Sequence, residues 1–231
     1  MKTRLIIIAV VVLFGGCKQQ SNFSQLELGK MRVGFDVDDT IVFSKFTFEH
    51  EKAIDNEGRT DYGWVNQHDG EYSTIIKPIK QLIYFLRDQG HEIYFVTSRP
   101  GENGKFLADF LSDSLGFLIR KDIELFFSPK IKDPITGKRF TTKHGIMKKL
   151  KLNLYYGDSD TDMIAATIAG IRGVRVVRDP QSIESYSSNY FGDIQMAQQK
   201  GGMITPEIYK DFLRAGVGPY GETIYPIFQP E

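Results

Sequence analysis

The stretch MRVGFDVDDT, Met31 to Thr40, begins as a buried strand and ends in acid. Val33, Phe35 and Val37 are apolar, Gly34 leaves room for close backbone approach, and Asp36, Asp38 and Asp39 crowd the place where the strand should end. In an extended segment side chains alternate, so Asp36 and Asp38 point to one side and Val37 and Asp39 to the other. Two like charges at that spacing repel, raise one pKa and invite a cation or a shared proton. Taken alone, the stretch is equally a strand ending in a solvated acidic turn with Thr40 as a helix cap. The rest of the chain decides between the two.

Downstream, the segment through Tyr72 is rich in aromatics (Phe43, Phe46, Phe48, Tyr62, Trp64) interleaved with Asp, Asn and Gly, and shows no clear strand or helix period. Inserted after the first strand, it would cover the acidic strand end and line a pocket. Pro78 to Gln89 carries apolar residues at helical spacing and stops at Gly90. HEIYFVT is a second strand, running into SRPGENG. Asn103 to Gly116 is helical, with Phe106, Leu107, Phe110, Leu111 and Leu115 on one face. Ile123 to Phe127 reads as a third strand. Thr141 or Thr142 caps a helix through Leu150, LNLYY is a fourth strand ending at GDSDTD, Met163 to Ala169 is helical, and Gly173 to Val177 is a fifth strand. Such alternation predicts an α/β fold, a mainly parallel sheet with helices on both faces. Ligands in such sheets sit beyond the carboxyl ends of the strands, where Asp36, Thr97 and Asp158 fall.

The chain has 231 residues, 41% hydrophobic and 25% charged, the composition of an ordinary globular domain. MKTR followed by LIIIAVVVLF is a secretory signal, too short for a membrane span. LFGGC resembles a bacterial lipobox, in which cleavage after Gly16 leaves Cys17, the only cysteine, as an acylated N-terminus. The expected organisation is a signal peptide at 1–16, a tether at 17–30, a folded domain at 31–202 with a cap-like insertion at 41–76, and a C-terminal extension at 203–231. That places the protein in a bacterial cell envelope, lipid-anchored at the periplasmic face of a membrane. Of 29 basic residues, Lys2 and Arg4 lie in the signal, leaving 27 against 29 acidic ones, so no basic field exists for a nucleic acid polymer.

FDVDDT, then TSRP, then a lysine, then GDSDTD resemble the four motifs of the haloacid dehalogenase (HAD) superfamily of phosphatases. Within it the chain looks most like the bacterial class B acid phosphatases: Phe43 lies three residues beyond FDVDDT, a Trp precedes the first long helix, Thr142 and Lys143 stand shortly before GDSDTD, and FGD occurs at Phe191 to Asp193. The resemblance implies a Rossmann-like fold and hydrolysis of phosphomonoesters, with phosphotransfer to alcohols as a second activity.

Asp36 would be the nucleophile, since a carboxylate is ionised at neutral pH and forms an acyl phosphate that water later cleaves. Asp38 would protonate the leaving alcohol and then deprotonate water, a task for which its pKa should be raised. Asp39, pointing away by strand parity, is a turn residue. The resemblance implies Mg²⁺ held by Asp36, the backbone carbonyl of Asp38 and Asp158, with Asp162 orienting its waters. Lys143, chosen over Lys148, Lys149 and Lys151, would offset the negative charge. Thr97, Ser98 and Arg99 would hold phosphate oxygens. Phe48, Trp64 and Tyr186 fall where class B enzymes place an apolar pocket for an aromatic leaving group. Oligomerisation is implied in the same way.

Motif two reads TSRP rather than the more usual TGR, and lipid anchoring is characteristic of class C acid phosphatases, whose metal cluster differs from GDSDTD. A lipid-anchored protein that binds a phosphorylated ligand without turning it over is the competing reading. A binder, however, has no need of both a nucleophile and a separate acid.

Overall fold

The computed structural model describes residues 29–54, 58–132, 134, 139–176, 182 and 223–224. The first strand, β1 (Arg32–Phe35), is followed by β2 (Val42–Phe43), α1 (Lys45–Ile54), α2 (Tyr62–Tyr72), β3 (Thr74–Ile75) and α3 (Lys77–Asp88). Then come β4 (Glu92–Thr97), α4 (Gly104–Leu115), β5 (Leu125–Phe127), β6 (Ile131–Lys132) and β7 (Arg139–Phe140). The described elements end with α5 (Lys143–Leu150), β8 (Leu154–Gly157), α6 (Asp160–Ala169), β9 (Arg172–Val176) and β10 (Thr223–Ile224).

Six strands form one parallel sheet in the order β10-β9-β8-β1-β4-β5. β1 lies between β4 and β8, and the chain order reverses around it, so the carboxyl ends of these three strands surround the switch point. Alternation along each strand sorts side chains to two faces. Phe35, Phe95 and Tyr156 pack with Ile79, Ile83 and Leu86 of α3 and with Leu107, Leu111 and Leu115 of α4. On the other face Val96 and Tyr155 pack with Met147 of α5 and Ala165 and Ala166 of α6. Gly34 is demanded by that second face: a Cβ there would stand 2.6 Å from Leu152 and 2.7 Å from the Tyr155 ring. The space lets Tyr155 cross beneath β1 and donate its hydroxyl to Val96 O at 2.8 Å.

Between Ile41 and Ile76 the chain leaves the sheet and returns, and β2 pairs antiparallel with β3 at the base of this excursion (Val42 with Ile75). Its interior is two helices, where the sequence showed no period. The reason lies in α2, whose Asp61 side chain caps Trp64 N–H at 3.0 Å. Its buried face is Gly63, Val65, Asn66 and Asp69, polar rather than apolar, so no hydrophobic stripe marks it.

One strand start and one helix face also differ from expectation. Ile123 is half exposed, because the amides of Ile123, Glu124 and Leu125 all donate to Arg120 O in a turn, and the third sheet strand starts at Leu125. On α4, Phe106 is solvent-exposed and Ala108 takes a place on the buried face.

Candidate active site

β1 ends at Phe35, and the backbone turns through Asp36 to Ile41 before β2. Asp36 N donates to Tyr156 O at 2.8 Å, and the amides of Thr40, Ile41 and Val42 close on Val37 O. Asp39 sits in the left-handed region (φ 54°), a conformation a short polar residue tolerates. With the strand already over, its parity no longer holds, and Asp39 joins Asp36 and Asp38 in lining one cavity of 870 Å³. The same cavity receives Asp158 and Ser159 from the end of β8, Ser98 and Arg99 from beyond β4, and Lys143 from the start of α5.

Lys143 is buried and bridges two carboxylates, its Nζ standing 2.7 Å from Asp36 Oδ1 and 2.6 Å from Asp162 Oδ1. Burial would lower its pKa, but Asp162 and Asp36 more than compensate and hold it charged, above the ordinary lysine range. Asp162 is held on its other side by the start of α6: Ser159 N and Oγ both donate to Oδ2, at 3.1 and 2.7 Å. Gly157 makes this approach feasible, since a Cβ on it would stand 2.5 Å from Asp162 Cβ. Burial tends to raise Asp162, and Lys143 and Ser159 bring it below the usual carboxylate range.

Asp36 shows the opposite balance. Burial foremost, then the charge of Asp162, push its carboxyl well above the ordinary range, with Lys143 pulling against them. Oxygens of Asp36, Asp158 and Asp162 lie within 4.8 Å of one another. A buried, all-oxygen donor set that already raises one member's pKa fits a hard divalent cation. The fit is not equal across the three. Asp162 Oδ1 and Oδ2 are engaged by Lys143 and Ser159, which suits it to orienting neighbours, whereas Asp36 and Asp158 project from adjacent strand ends. Thr40 Oγ1 donates to Asp158 Oδ1 at 3.1 Å, and Arg175 of β9 donates to Asp158 O at 2.9 Å.

Expectations for Arg99, Asp38 and Trp64 require correction. Arg99 is not placed to clamp a phosphate. It is buried, and its five N–H donors are all engaged: Nε and Nη2 on Asp38 (2.9 and 2.5 Å), and Nη1 and Nη2 on Asn66 and Asp69 of α2. Nor is Asp38 raised. Burial acts in that direction, but Arg99, together with a 2.5 Å hydrogen bond from Ser44 Oγ, outweighs it and holds Asp38 below the usual carboxylate range.

Thr97 is buried under the site, its Oγ1 accepting from Arg99 N–H at 3.1 Å, so that amide too is occupied; Ser98 faces the cavity. Phe48 lines the cavity, with the Arg99 guanidinium carbon 5.4 Å from its ring centre and Tyr62 packed edge-on at 6.0 Å. Trp64 does not line it. Its ring stacks on His68 at 4.0 Å and faces Tyr72 at 6.1 Å on the outer side of α2. Tyr186 and Cys17 lie outside the described residues. Residues that sequence reading passed over are Asn66 and Asp69, which grip Arg99, Ser44, Thr40 and Ser159, which orient the carboxylates, and Tyr62, which takes the wall position beside Phe48. The available signal for Asn66 and Asp69 was a polar pair three apart in a segment otherwise rich in aromatics.

A model of the HAD superfamily, subfamily IIIB (acid phosphatase), matches residues 16–188. The chain is 31% identical over 163 residues to a class B acid phosphatase from Aggregatibacter actinomycetemcomitans, covering 66% of this chain and 65% of that protein. It is 33% identical over 162 residues to one from Klebsiella pneumoniae, with the same coverage. The matched region thus spans a little under two thirds of these relatives' length. Among solved structures, a haloacid dehalogenase-like family hydrolase from Streptococcus pneumoniae aligns at 12% identity with a TM-score of 0.46, covering 68% of this chain and 88% of that one.

Proposed function

The chain belongs to the HAD superfamily, subfamily IIIB of acid phosphatases, and from that membership and the geometry of the site we propose that it hydrolyses phosphomonoesters through an aspartyl-phosphate intermediate. The observation that carries the reading is the convergence around one cavity of Asp36, Asp38 and Asp158, from beyond the ends of adjacent parallel strands, and Lys143, from the start of α5, with Asp162 of α6 bonded to Lys143 and within reach of Asp36 and Asp158.

A carboxylate oxygen of Asp36 attacks phosphorus as the bond to the ester oxygen breaks. Asp38 supplies the proton that the departing alkoxide needs. In the second step Asp38 takes a proton from water, whose oxygen attacks the same phosphorus, and Asp36 is released with inorganic phosphate. Arg99 holds Asp38 below the usual carboxylate range, which favours the ionised form that takes a proton from water and works against the protonated form that serves the leaving group. Lys143 offsets negative charge beside Asp36, where an anionic ester must approach an anionic nucleophile. Asp36 and Asp158 would hold Mg²⁺, with Asp162 orienting its ligands; bound there, the ion supplies charge neutralisation and keeps Asp36 ionised.

The Phe48 and Tyr62 wall favours aromatic leaving groups, aryl phosphates and nucleoside monophosphates, with an alcohol able to replace water as phosphoryl acceptor. Lipid anchoring through Cys17 at the periplasmic face of a bacterial membrane, and assembly into a homo-oligomer, belong to the same proposal and rest on the lipobox-like LFGGC and on the family likeness. The test is release of inorganic phosphate from p-nitrophenyl phosphate and a nucleoside monophosphate, with Mg²⁺ or with EDTA. Metal-dependent release supports the reading. A folded protein that releases none with any divalent cation overturns it in favour of a phospho-ligand-binding role.

A further inference from the structure

The carboxylates that line the cavity, Asp36, Asp38, Asp39 and Asp158, all come from the ends of β1 and β8, at its floor. Its mouth has the opposite sign. Lys52 and Arg59 approach from the excursion between β2 and β3, and Lys130 and Arg139 from the β6 and β7 hairpin across from it. All four are solvent-exposed, and no carboxylate among the described residues pairs with any of them. Elsewhere the same chain treats exposed cations differently: Lys105 on α4 and Arg120 in the turn before β5 each have an acidic partner four residues on.

One phosphoryl group does not account for this rim. Its place is at the floor, against Asp36, where Lys143 and the candidate cation site supply the positive charge. Four exposed cations from two separate elements, without a carboxylate partner among the described residues, therefore face whatever extends outward from the ester oxygen. The cavity volume, 870 Å³, is near the top of the range of about 300–1,000 Å³ typical of small-molecule sites, and leaves space for a leaving group beyond Phe48 and Tyr62.

We propose that the rim formed by Lys52, Arg59, Lys130 and Arg139 is a second anion subsite, and that the substrates this site takes best are phosphomonoesters whose leaving group carries another phosphate, such as nucleoside bisphosphates. The inference rests on the phosphomonoesterase reading for which phosphate is cleaved, but the subsite is a binding property and is measured without turnover.

The experiment is calorimetric titration of the Asp36→Asn protein with adenosine 3′,5′-bisphosphate and with adenosine 5′-monophosphate, with and without Lys52→Gln, Arg59→Gln, Lys130→Gln and Arg139→Gln together. The bisphosphate is expected to bind about tenfold more tightly than the monophosphate through added charge-assisted contacts. The four exposed substitutions should remove that advantage and leave the fold intact. Equal affinity for the two nucleotides in the parent protein overturns the subsite. So does an equal loss for both in the four-fold variant, which is the mark of general electrostatic steering. Phosphate release by the unmutated chain is scored separately, so a protein that binds the bisphosphate selectively yet hydrolyses nothing refutes the phosphatase reading and keeps the subsite.

Discussion

The guanidinium of Arg99 holds the carboxylate of Asp38 on two parallel hydrogen bonds, Nε to Oδ2 at 2.9 Å and Nη2 to Oδ1 at 2.5 Å. The same guanidinium reaches α2 through Asp69 and Asn66, so one buried cation ties Asp38 to the helix beside it. Asp69→Ala should therefore act at both ends. Removing one partner of a buried pair costs about 3–5 kcal/mol, and Asp38 would lose a firmly oriented neighbour. Urea unfolding should show that loss of stability, with activity reduced even where the variant remains folded. Unchanged stability would mean that Arg99 does not depend on α2.

Gly157 is the passage through which Asp162 reaches Lys143. In Gly157→Ala the new methyl would sit 2.5 Å from Asp162 Cβ, against packed side chain rather than open space. Overpacking of this kind costs about 1–3 kcal/mol, and the displacement falls on the Lys143 bridge. The expected outcome is a lower melting temperature together with a fall in kcat larger than any change in KM.

Glu92 offers a pH test away from the site. Hydrogen bonds from Lys30 and then Tyr94 outweigh a small burial cost and bring its pKa to about 2, below the ordinary 4.5; Arg32, its register partner on β1, adds to this at 2.9 Å. A depressed carboxyl stabilises the fold above its unfolded pKa, and the contribution disappears as pH falls through the folded value. Wild type should exceed Glu92→Gln in stability at neutral pH, by no more than about 1 kcal/mol because the pair is exposed. The gap should begin to close below about 4.5 and vanish near about 2. Denaturant titrations across that window measure it.

The aromatic wall separates two neighbours in sequence. Tyr62 packs beside Phe48 at the cavity, whereas Trp64 stacks outward on His68. Tyr62→Ala should raise KM for p-nitrophenyl phosphate, by about tenfold if the ring stacks on the leaving group. Trp64→Ala should leave it unchanged. Steady-state kinetics on both variants decides which aromatic serves the substrate.

The parts of this architecture that were legible in the sequence are those where periodicity and chemistry coincide. The apolar alternation of Val33, Phe35 and Val37 running into Asp36, and the same change of character at Thr97 and Asp158, mark strand exits that a parallel sheet brings together. Lys143 is legible through the likeness to class B enzymes, which share its place after Thr142 and before GDSDTD, and it meets both Asp36 and Asp162. Legibility failed where a helix turns a polar face inward. Asn66 and Asp69 are buried because Arg99 needs acceptors, a demand created by a residue about 30 positions away that no local pattern records. Tyr62 and Trp64 were indistinguishable for a related reason: residues two apart lie on opposite sides of a helix, and without a period neither side could be assigned. Repulsion between Asp36 and Asp38 does not by itself say which carboxyl rises; Arg99, invisible to local pattern, pulls Asp38 down and leaves Asp36 the raised one.

The assignment of Asp36 as nucleophile and Asp38 as acid and base is tested most directly by the Asp38→Asn variant with p-nitrophenyl phosphate and Mg²⁺ in a rapid-mixing experiment. p-Nitrophenolate departs without a proton, so the first step should survive while the second, which needs a base, stalls. The account predicts a burst of one p-nitrophenolate per active site, slow turnover thereafter, and an acid-quenched peptide heavier by one phosphoryl group at Asp36. Asp36→Asn should show neither burst nor turnover. Turnover that persists in Asp36→Asn, or a phosphorylated peptide that does not contain Asp36, would contradict it.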